Sequence, residues 1–222
     1  MTRLLVLAEG VSEEVFVNTV LSPHLEQFGV YPKATGVVTK RLANGQRIRG
    51  GNHWPKVKNS LQPLLADSDA WVTSLLDYYG LPEDFPGVAQ ASKLKATAMD
   101  RVLHVQHALA TAMGQPPRFI PFVVLHEFEA WYFASPAKFA NFFGNPSAAG
   151  EMDAACVAAG GPENINQGKE THPSQRLLNL GIGFRKTGAV SVLQDIGIQA
   201  IRTTCPHFND WLTRLEALGS AR

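Results

Sequence analysis

Arg3-Leu4-Leu5-Val6-Leu7-Ala8-Glu9 is a short apolar run that ends in an acid, and two later stretches repeat it. Ala70-Trp71-Val72-Thr73-Ser74-Leu75-Leu76 closes on Asp77, and Phe122-Val123-Val124-Leu125-His126 closes on Glu127. Runs of this length, continuous rather than alternating and flanked by turn residues, are those of strands buried on both faces, as in parallel sheets. In open sheets of that kind, sites are built at the carboxyl ends of the strands. The three runs therefore predict one sheet that delivers Glu9, Asp77 and Glu127 to the same edge. Three carboxylates gathered there suit a divalent metal ion.

Outward from these runs, the chain alternates helical and extended patterns. Ser12, followed by Glu13 and Glu14, opens a helix that ends near Pro23 or Phe28. Val30 to Thr39 reads as extended, and the basic, glycine-rich stretch from Lys40 to Asn52 reads as a mobile surface loop. A helix is expected from about His53 to Leu65. Another is expected from Ser92 to Gly114, with Leu94, Ala98, Val102, Val105, Leu109 and Ala112 forming one apolar stripe. This alternation predicts an α/β fold, a parallel or mixed sheet flanked by helices. Beyond Ser135 the pattern turns to short helices punctuated by Gly and Pro. Residues 1–134 are thus expected to form the α/β core, and residues 135–222 a helical elaboration packed on it in one compact unit.

Composition narrows the function classes. With 222 residues and 45% hydrophobic content the chain can bury a real core, and a formal net charge of +1 gives no global attraction to nucleic acid or membrane. Phosphate binding would need a local patch. Two cysteines, Cys156 and Cys205, make no disulfide framework, and the first residues already read as a strand, so a reducing cytoplasm is the expected compartment. No stretch approaches the roughly 20 apolar residues of a membrane span. There is no phosphate loop of the Gly-x-x-x-x-Gly-Lys-Ser/Thr type, and Cys205-Pro206-His207 lacks the second cysteine pair of a zinc site.

Mg²⁺ takes hard oxygen ligands, typically one or two carboxylates, with waters and substrate phosphates completing its octahedron. Glu9 and Asp77 suffice as a core pair. Glu127 and Glu129 are two apart: in a continuing strand they share a face, and on a helix they diverge by about 200°. Glu13, one helical turn past Glu9, is a candidate supporting or second-metal ligand. Any one of these acids also reads as a helix-start residue or a solvated charge; their coincidence at three strand ends favours a site. Between Lys40 and Gly51 stand Lys40, Arg41, Arg47 and Arg49 with no acid among them. Such a segment either grips a nucleic-acid backbone by neutralising phosphates or is an ordinary solvated loop.

The stretch Leu7-Ala8-Glu9-Gly10-Val11-Ser12-Glu13-Glu14 resembles the glutamate motif that opens the Toprim fold, the metal-binding domain of topoisomerases, primases and overcoming-lysogenization-defect (OLD) nucleases. Asp77 then stands where those proteins carry their aspartate motif. More closely, Asp77-Tyr78-Tyr79-Gly80-Leu81-Pro82, Phe85-Pro86-Gly87, His126-Glu127-Phe128-Glu129-Ala130, Pro162-Glu163-Asn164-Ile165-Asn166 and Cys205-Pro206-His207-Phe208 are similar to a Toprim-like bacterial family, domain of unknown function 4276. The resemblance implies a Mg²⁺- or Mn²⁺-dependent nuclease or phosphodiester-processing effector in phage defence, beside an AAA- or ABC-type ATPase partner. It implies catalytic roles for Glu9 and Asp77, and it matches Lys186 to a late lysine that stabilises charge on the scissile phosphate in OLD-type nucleases. Nucleic-acid contacts then fall to Arg41, Arg47 and Arg49. The wider pattern has a second aspartate where this chain has Tyr79, and a phenol, with its pKa near 10, is a poor Mg²⁺ ligand. Glu127 or Glu129 must then substitute. Two other readings stay open: a non-catalytic adaptor that binds an ATPase partner or nucleic acid, and a phosphatase or nucleotide hydrolase.

Overall fold

The computed structural model describes residues 1–41, 47–166, 168–185 and 188–220, with side chains for all of these except 39–41 and 47–49. Strand β1 (Thr2–Ala8) runs into a continuous helical stretch of α1 (Val11–Phe16), a π-helical turn (Val17–Leu21), α2 (Ser22–Leu25) and a 3₁₀ turn (Glu26–Phe28). The wide turn lies where Pro23 would press its ring on the Thr19 carbonyl and offers no N–H in return. Gly29, at φ +75°, ends the stretch in the left-handed conformation open to glycine. Then follow β2 (Val30–Gly36), β3 (Val38–Arg41), β4 (Arg47–Arg49), α3 (Trp54–Leu65) and β5 (Ala70–Asp77). Next come α4 (Val88–Ala91), α5 (Ala98–Ala112), β6 (Phe119–Ile120) and β7 (Val123–Val124). The remainder is helical: a 3₁₀ turn (Phe128–Ala134), α6 (Pro136–Phe142), α7 (Ala148–Ala159), α8 (Pro173–Asn179), α9 (Val190–Ile196), α10 (Ile198–Thr204) and α11 (Pro206–Ala217).

The fold is α/β, with the central sheet in the order β2-β1-β5, and with β6 and β7 both on the far side of β5. Every pairing in it is parallel, with Ala8 opposite Gly36 and Leu75, and Asp77 opposite Val124. From β1 the chain steps to one side for β2 and to the other for β5. The order thus reverses between β1 and β5, the position at which open sheets form a crevice beyond their strand ends.

Side chains alternate across the sheet into two cores. Leu4 and Val6 join Phe16, Leu21, Phe208 and Trp211 on one face; Leu7 joins Val57, Leu61, Val105 and Leu109 on the other. Phe139, Met152, Leu177 and Leu212 belong to the first of these cores. The change of pattern near residue 134 therefore does not divide the hydrophobic interior.

Three local expectations need correction. Ser92 does not cap the long helix, because its hydroxyl donates to the Ala89 carbonyl (3.0 Å) and the chain turns before Thr97. Thr97 and Asp100 form a reciprocal capping box instead, and Leu94, 37% exposed, lies off the apolar stripe. The Lys40–Asn52 stretch is not an aperiodic loop: β3 and β4 pair antiparallel, with Arg41 opposite Arg47, while residues 42–46 lie outside the described residues. The third apolar run is a strand only at Val123–Val124, as β7. A separate short strand, β6, precedes it, and Pro121, with no N–H for a ladder, stands between the two.

Hydroxyls from β5 fill that break. Ser74 Oγ accepts the Phe122 N–H (3.0 Å) and donates to the Phe122 carbonyl (2.9 Å), and Thr73 Oγ1 donates to the Ile120 carbonyl (2.6 Å). Beyond the break, Gln106 of α5 accepts the Val123 N–H (2.9 Å), and His207 of α11 lies 2.9 Å from the Val123 carbonyl through Nε2. A buried amide with no partner costs about 1–3 kcal/mol. Ser74→Ala, which deprives both Phe122 groups, is expected to lower stability by at least that amount in urea unfolding with an unchanged m value. A loss of only a few tenths would show that the break needs no side-chain repair.

Candidate metal centre

Glu9 follows β1 directly, and its backbone N–H still donates to the Leu75 carbonyl (2.9 Å), so its side chain leaves from the carboxyl edge of the sheet. Its Oε2 accepts the backbone N–H of Asp77 (3.0 Å), the last residue of β5. The two acids thus meet across the point where the strand order reverses. Asp77 Oδ1 in turn accepts the Phe128 N–H (2.8 Å), which ties in the third acid-bearing segment. Beyond β7, backbone bonds from Tyr78 to Val124 (3.1 Å) and from Tyr79 to His126 (2.8 Å) keep that segment against the β5 exit. His126 then takes φ +71°, unusual for a residue with a side chain, and turns Glu127 and Phe128 back over Asp77.

The strand does not continue through Glu129, which lies in the 3₁₀ turn; Glu127 is the residue preceding that turn. Neither a continued strand nor one helix therefore spans the two acids: Glu127 is extended and Glu129 lies inside the turn. Both are 3% exposed, and Glu13 is 9% exposed. Glu13 Oε2 accepts the Gly10 N–H (2.9 Å) and closes the first turn of α1.

Burial, followed by the charges of Glu9, Glu129, Glu13 and Glu127 in that order, holds the Asp77 carboxyl well above the usual range. The other four acids singled out from the sequence therefore all act on Asp77. Tyr132 is pushed above the ordinary tyrosine range by burial and by the Glu129 and Glu13 charges, so it stays a neutral phenol beside them. Burial pushes His126 down to about 4, against the opposing pull of Glu127.

In kind and charge this donor set fits a hard divalent cation. Among the described residues no three His, Cys, Asp or Glu side chains already stand as an ion-binding group, so the fit rests on the Glu9–Asp77 pair with Glu129 near it. Glu127 is spoken for differently. Its Oε2 accepts the Ser174 N–H (2.8 Å) and lies 3.0 Å from His172 Nδ1, while its Oε1 accepts the Ser174 hydroxyl (3.0 Å). The ring of Tyr79 stacks on His172 with centroids 4.8 Å apart and 22° between planes.

The basic segment is anchored beside these acids. The Val37 N–H donates to the Ala8 carbonyl (3.0 Å), the Gly50 N–H to the Val37 carbonyl (2.9 Å), and Asn52 Nδ2 to the Gly80 carbonyl (3.0 Å). Arg41, Arg47 and Arg49 therefore sit on a hairpin rooted between the end of β1 and the loop after Asp77. Lys186 lies outside the described residues. The cysteines are free, with Cys156 pushed up to about 11 by burial first and Cys205 raised well above its usual range. Neither is an activated nucleophile.

His172 and Ser174 escaped the sequence reading, in which Thr171-His172-Pro173 is mere punctuation. Pro173 at the first position of α8 does mark a helix start, but nothing in the sequence pairs that start with an acid 45 residues earlier.

The model of one protein family, described as "Domain of unknown function (DUF4276)", matches residues 8–216. The chain belongs to this family. The match takes in all five acids, the hairpin and His172, so the whole candidate centre lies within the family domain. No curated protein and no solved structure matches the chain. Two sequence blocks quoted for the resemblance, 162–166 and 205–208, interlock: Glu163 accepts the backbone N–H groups of His207 (2.8 Å) and Phe208 (3.0 Å) at the start of α11. Burial raises Glu163 to about 7 despite those two bonds.

A raised carboxyl has a defined effect on stability. Above about pH 4 the unfolded chain releases the Asp77 proton while the native state retains it, so this group's contribution to stability falls as pH rises toward the native pKa. Asp77→Asn is expected to remove that fall. In metal-free unfolding measurements from pH 4 to 8, the variant should match or exceed the wild type near pH 7 and lose its advantage toward pH 4. Parallel curves would contradict the electrostatic account.

Proposed function

We propose that this chain is a Toprim-like, divalent-metal-dependent enzyme that cleaves phosphodiester bonds in nucleic acid. The observation that carries the reading is the crowding of Asp77 by four other carboxylates where the strand order reverses. Carboxylates this close disfavour one another's charged forms, and a cation bound among them would favour those forms. Glu9 and Asp77 would hold the ion and Glu129 would stand behind them. When bound there, Mg²⁺ or Mn²⁺ supplies charge stabilisation to the attacking and leaving oxygens of an in-line displacement at phosphorus. Lys40, Arg41, Arg47 and Arg49 on the anchored hairpin would bind the flanking phosphates, and Lys186 is the further cation that the Toprim resemblance implies. The antiviral setting and the ATPase partner come from that resemblance too.

The adaptor reading draws on a specific observation, the lack of a ready three-residue ligand group among the described residues. Metal binding and turnover separate the two. Ligand binding at 100 times its Kd stabilises a fold by about 2.7 kcal/mol. Saturating Mg²⁺ should therefore raise the melting temperature of the wild type but not of Glu9→Gln or Asp77→Asn. Those variants should also lose roughly 100-fold or more of cleavage on single- or double-stranded DNA or RNA, since a metal's charge stabilisation is worth several kcal/mol. No Mg²⁺ or Mn²⁺ effect on wild-type melting, with no cleavage, would sustain the adaptor. Activity on mononucleotides alone would sustain a phosphatase or nucleotide hydrolase.

Salt dependence tests the hairpin. Arg47→Ala together with Arg49→Ala should weaken nucleic-acid binding and flatten its salt slope by one to two counterions, at about 0.7–0.9 per phosphate contact. An unchanged slope would remove the hairpin from the interface.

A further inference from the structure

His172, Glu127 and Tyr79 form a unit that metal binding does not require. Among its partners in the described residues, Glu127 accepts the Ser174 amide and the Ser174 hydroxyl and lies against His172 Nδ1. A carboxylate can only accept, so a neutral His172 bound this way carries its proton on Nδ1 and its lone pair on Nε2. Among the described residues no group is hydrogen-bonded to that Nε2. The imidazole is 13% exposed, sheltered but not sealed, and the Tyr79 ring fixes its plane from one side. Both supports come from the metal centre: Tyr79 is two residues past Asp77, and Glu127 precedes the residue whose N–H binds the Asp77 carboxylate. The Glu127 contact and the Tyr79 stack on one imidazole exceed what the start of the seven-residue α8 needs, since the Ser174 amide and hydroxyl already anchor it to Glu127.

We propose that His172 is the general base of this centre, with Glu127 and Tyr79 as positioning residues; the inference rests on the phosphodiester reading above. Nε2 takes a proton from a water as the water oxygen bonds to phosphorus. The bond from phosphorus to the leaving oxygen breaks with its electron pair, and that oxygen takes a proton from bulk water. The imidazolium returns its proton to solvent, with Glu127 holding Nδ1–H throughout. The replacement of an aspartate by Tyr79 thus exchanges a ligand for a platform.

Two measurements test this on the full chain. Ring ¹⁵N shifts of the metal-free protein should identify His172 as the Nδ1–H tautomer, and Glu127→Gln should abolish that preference. An Nε2–H tautomer in the wild type would overturn the assignment. In cleavage assays on a nucleic-acid substrate with Mg²⁺, His172→Ala should lower kcat by about 100-fold or more, the usual worth of a general base, with KM and Mg²⁺-induced stabilisation little changed. Added imidazole should restore part of the rate. Full activity in His172→Ala beside inactive Asp77→Asn would sink this inference alone, whereas absence of cleavage by the wild type would sink both readings.

Discussion

The backbone N–H of Asp77, donated to the carboxylate of Glu9, is the contact around which this molecule is arranged. It joins the exits of the two central strands at the reversal of strand order and brings two half-buried acids together beside the buried Glu13, Glu127 and Glu129. Glu129, Glu13 and Glu127 add charge of the same sign around Asp77. Burying carboxylates is unfavourable, and burying them together more so. The fold meets this with backbone amides: Asp77 feeds Glu9, Phe128 feeds Asp77, Gly10 feeds Glu13 and Ser174 feeds Glu127. These donors orient each carboxylate toward its place in the centre. In the proposed function a cation at Glu9 and Asp77 completes the arrangement.

The helical last third holds the centre in place. Its helices contribute to the core on the α1 face of the sheet, with Phe208 and Trp211 against Phe122 and Trp131, and α11 supplies His207 to the Val123 carbonyl. Glu163 fixes the start of α11, and Glu127 fixes the start of α8. Two buried acids thus anchor two helix starts, and the same contact that holds α8 also holds His172.

Much of this was legible in the sequence, for a physical reason. A strand buried on both faces must be apolar throughout, so Leu4–Ala8 and Ala70–Leu76 could hardly be anything else, and their terminal acids fell at one edge because parallel strands share a direction. The third run gave a strand of only two residues: Pro121, just before it, interrupts the edge ladder between β6 and β7, and hydroxyls of Thr73 and Ser74, which read only as strand interior, bridge the gap. The hairpin was missed because the Gly and Asn residues of Lys40–Asn52 read as turn signals, while the pairing of Arg41 with Arg47 across it is a contact no local pattern shows. His172 was beyond reach because its meaning lies wholly in a tertiary contact with Glu127 and Tyr79.

The central claim is that the crowded carboxylates at the β1 and β5 exits are a cation site. Diffraction from crystals grown with Mn²⁺, recorded for its anomalous signal, tests it most directly. The account predicts a peak in contact with carboxylate oxygens of both Glu9 and Asp77, and none in crystals of Asp77→Asn. A wild-type crystal saturated with Mn²⁺ that shows no peak between those two residues would contradict it.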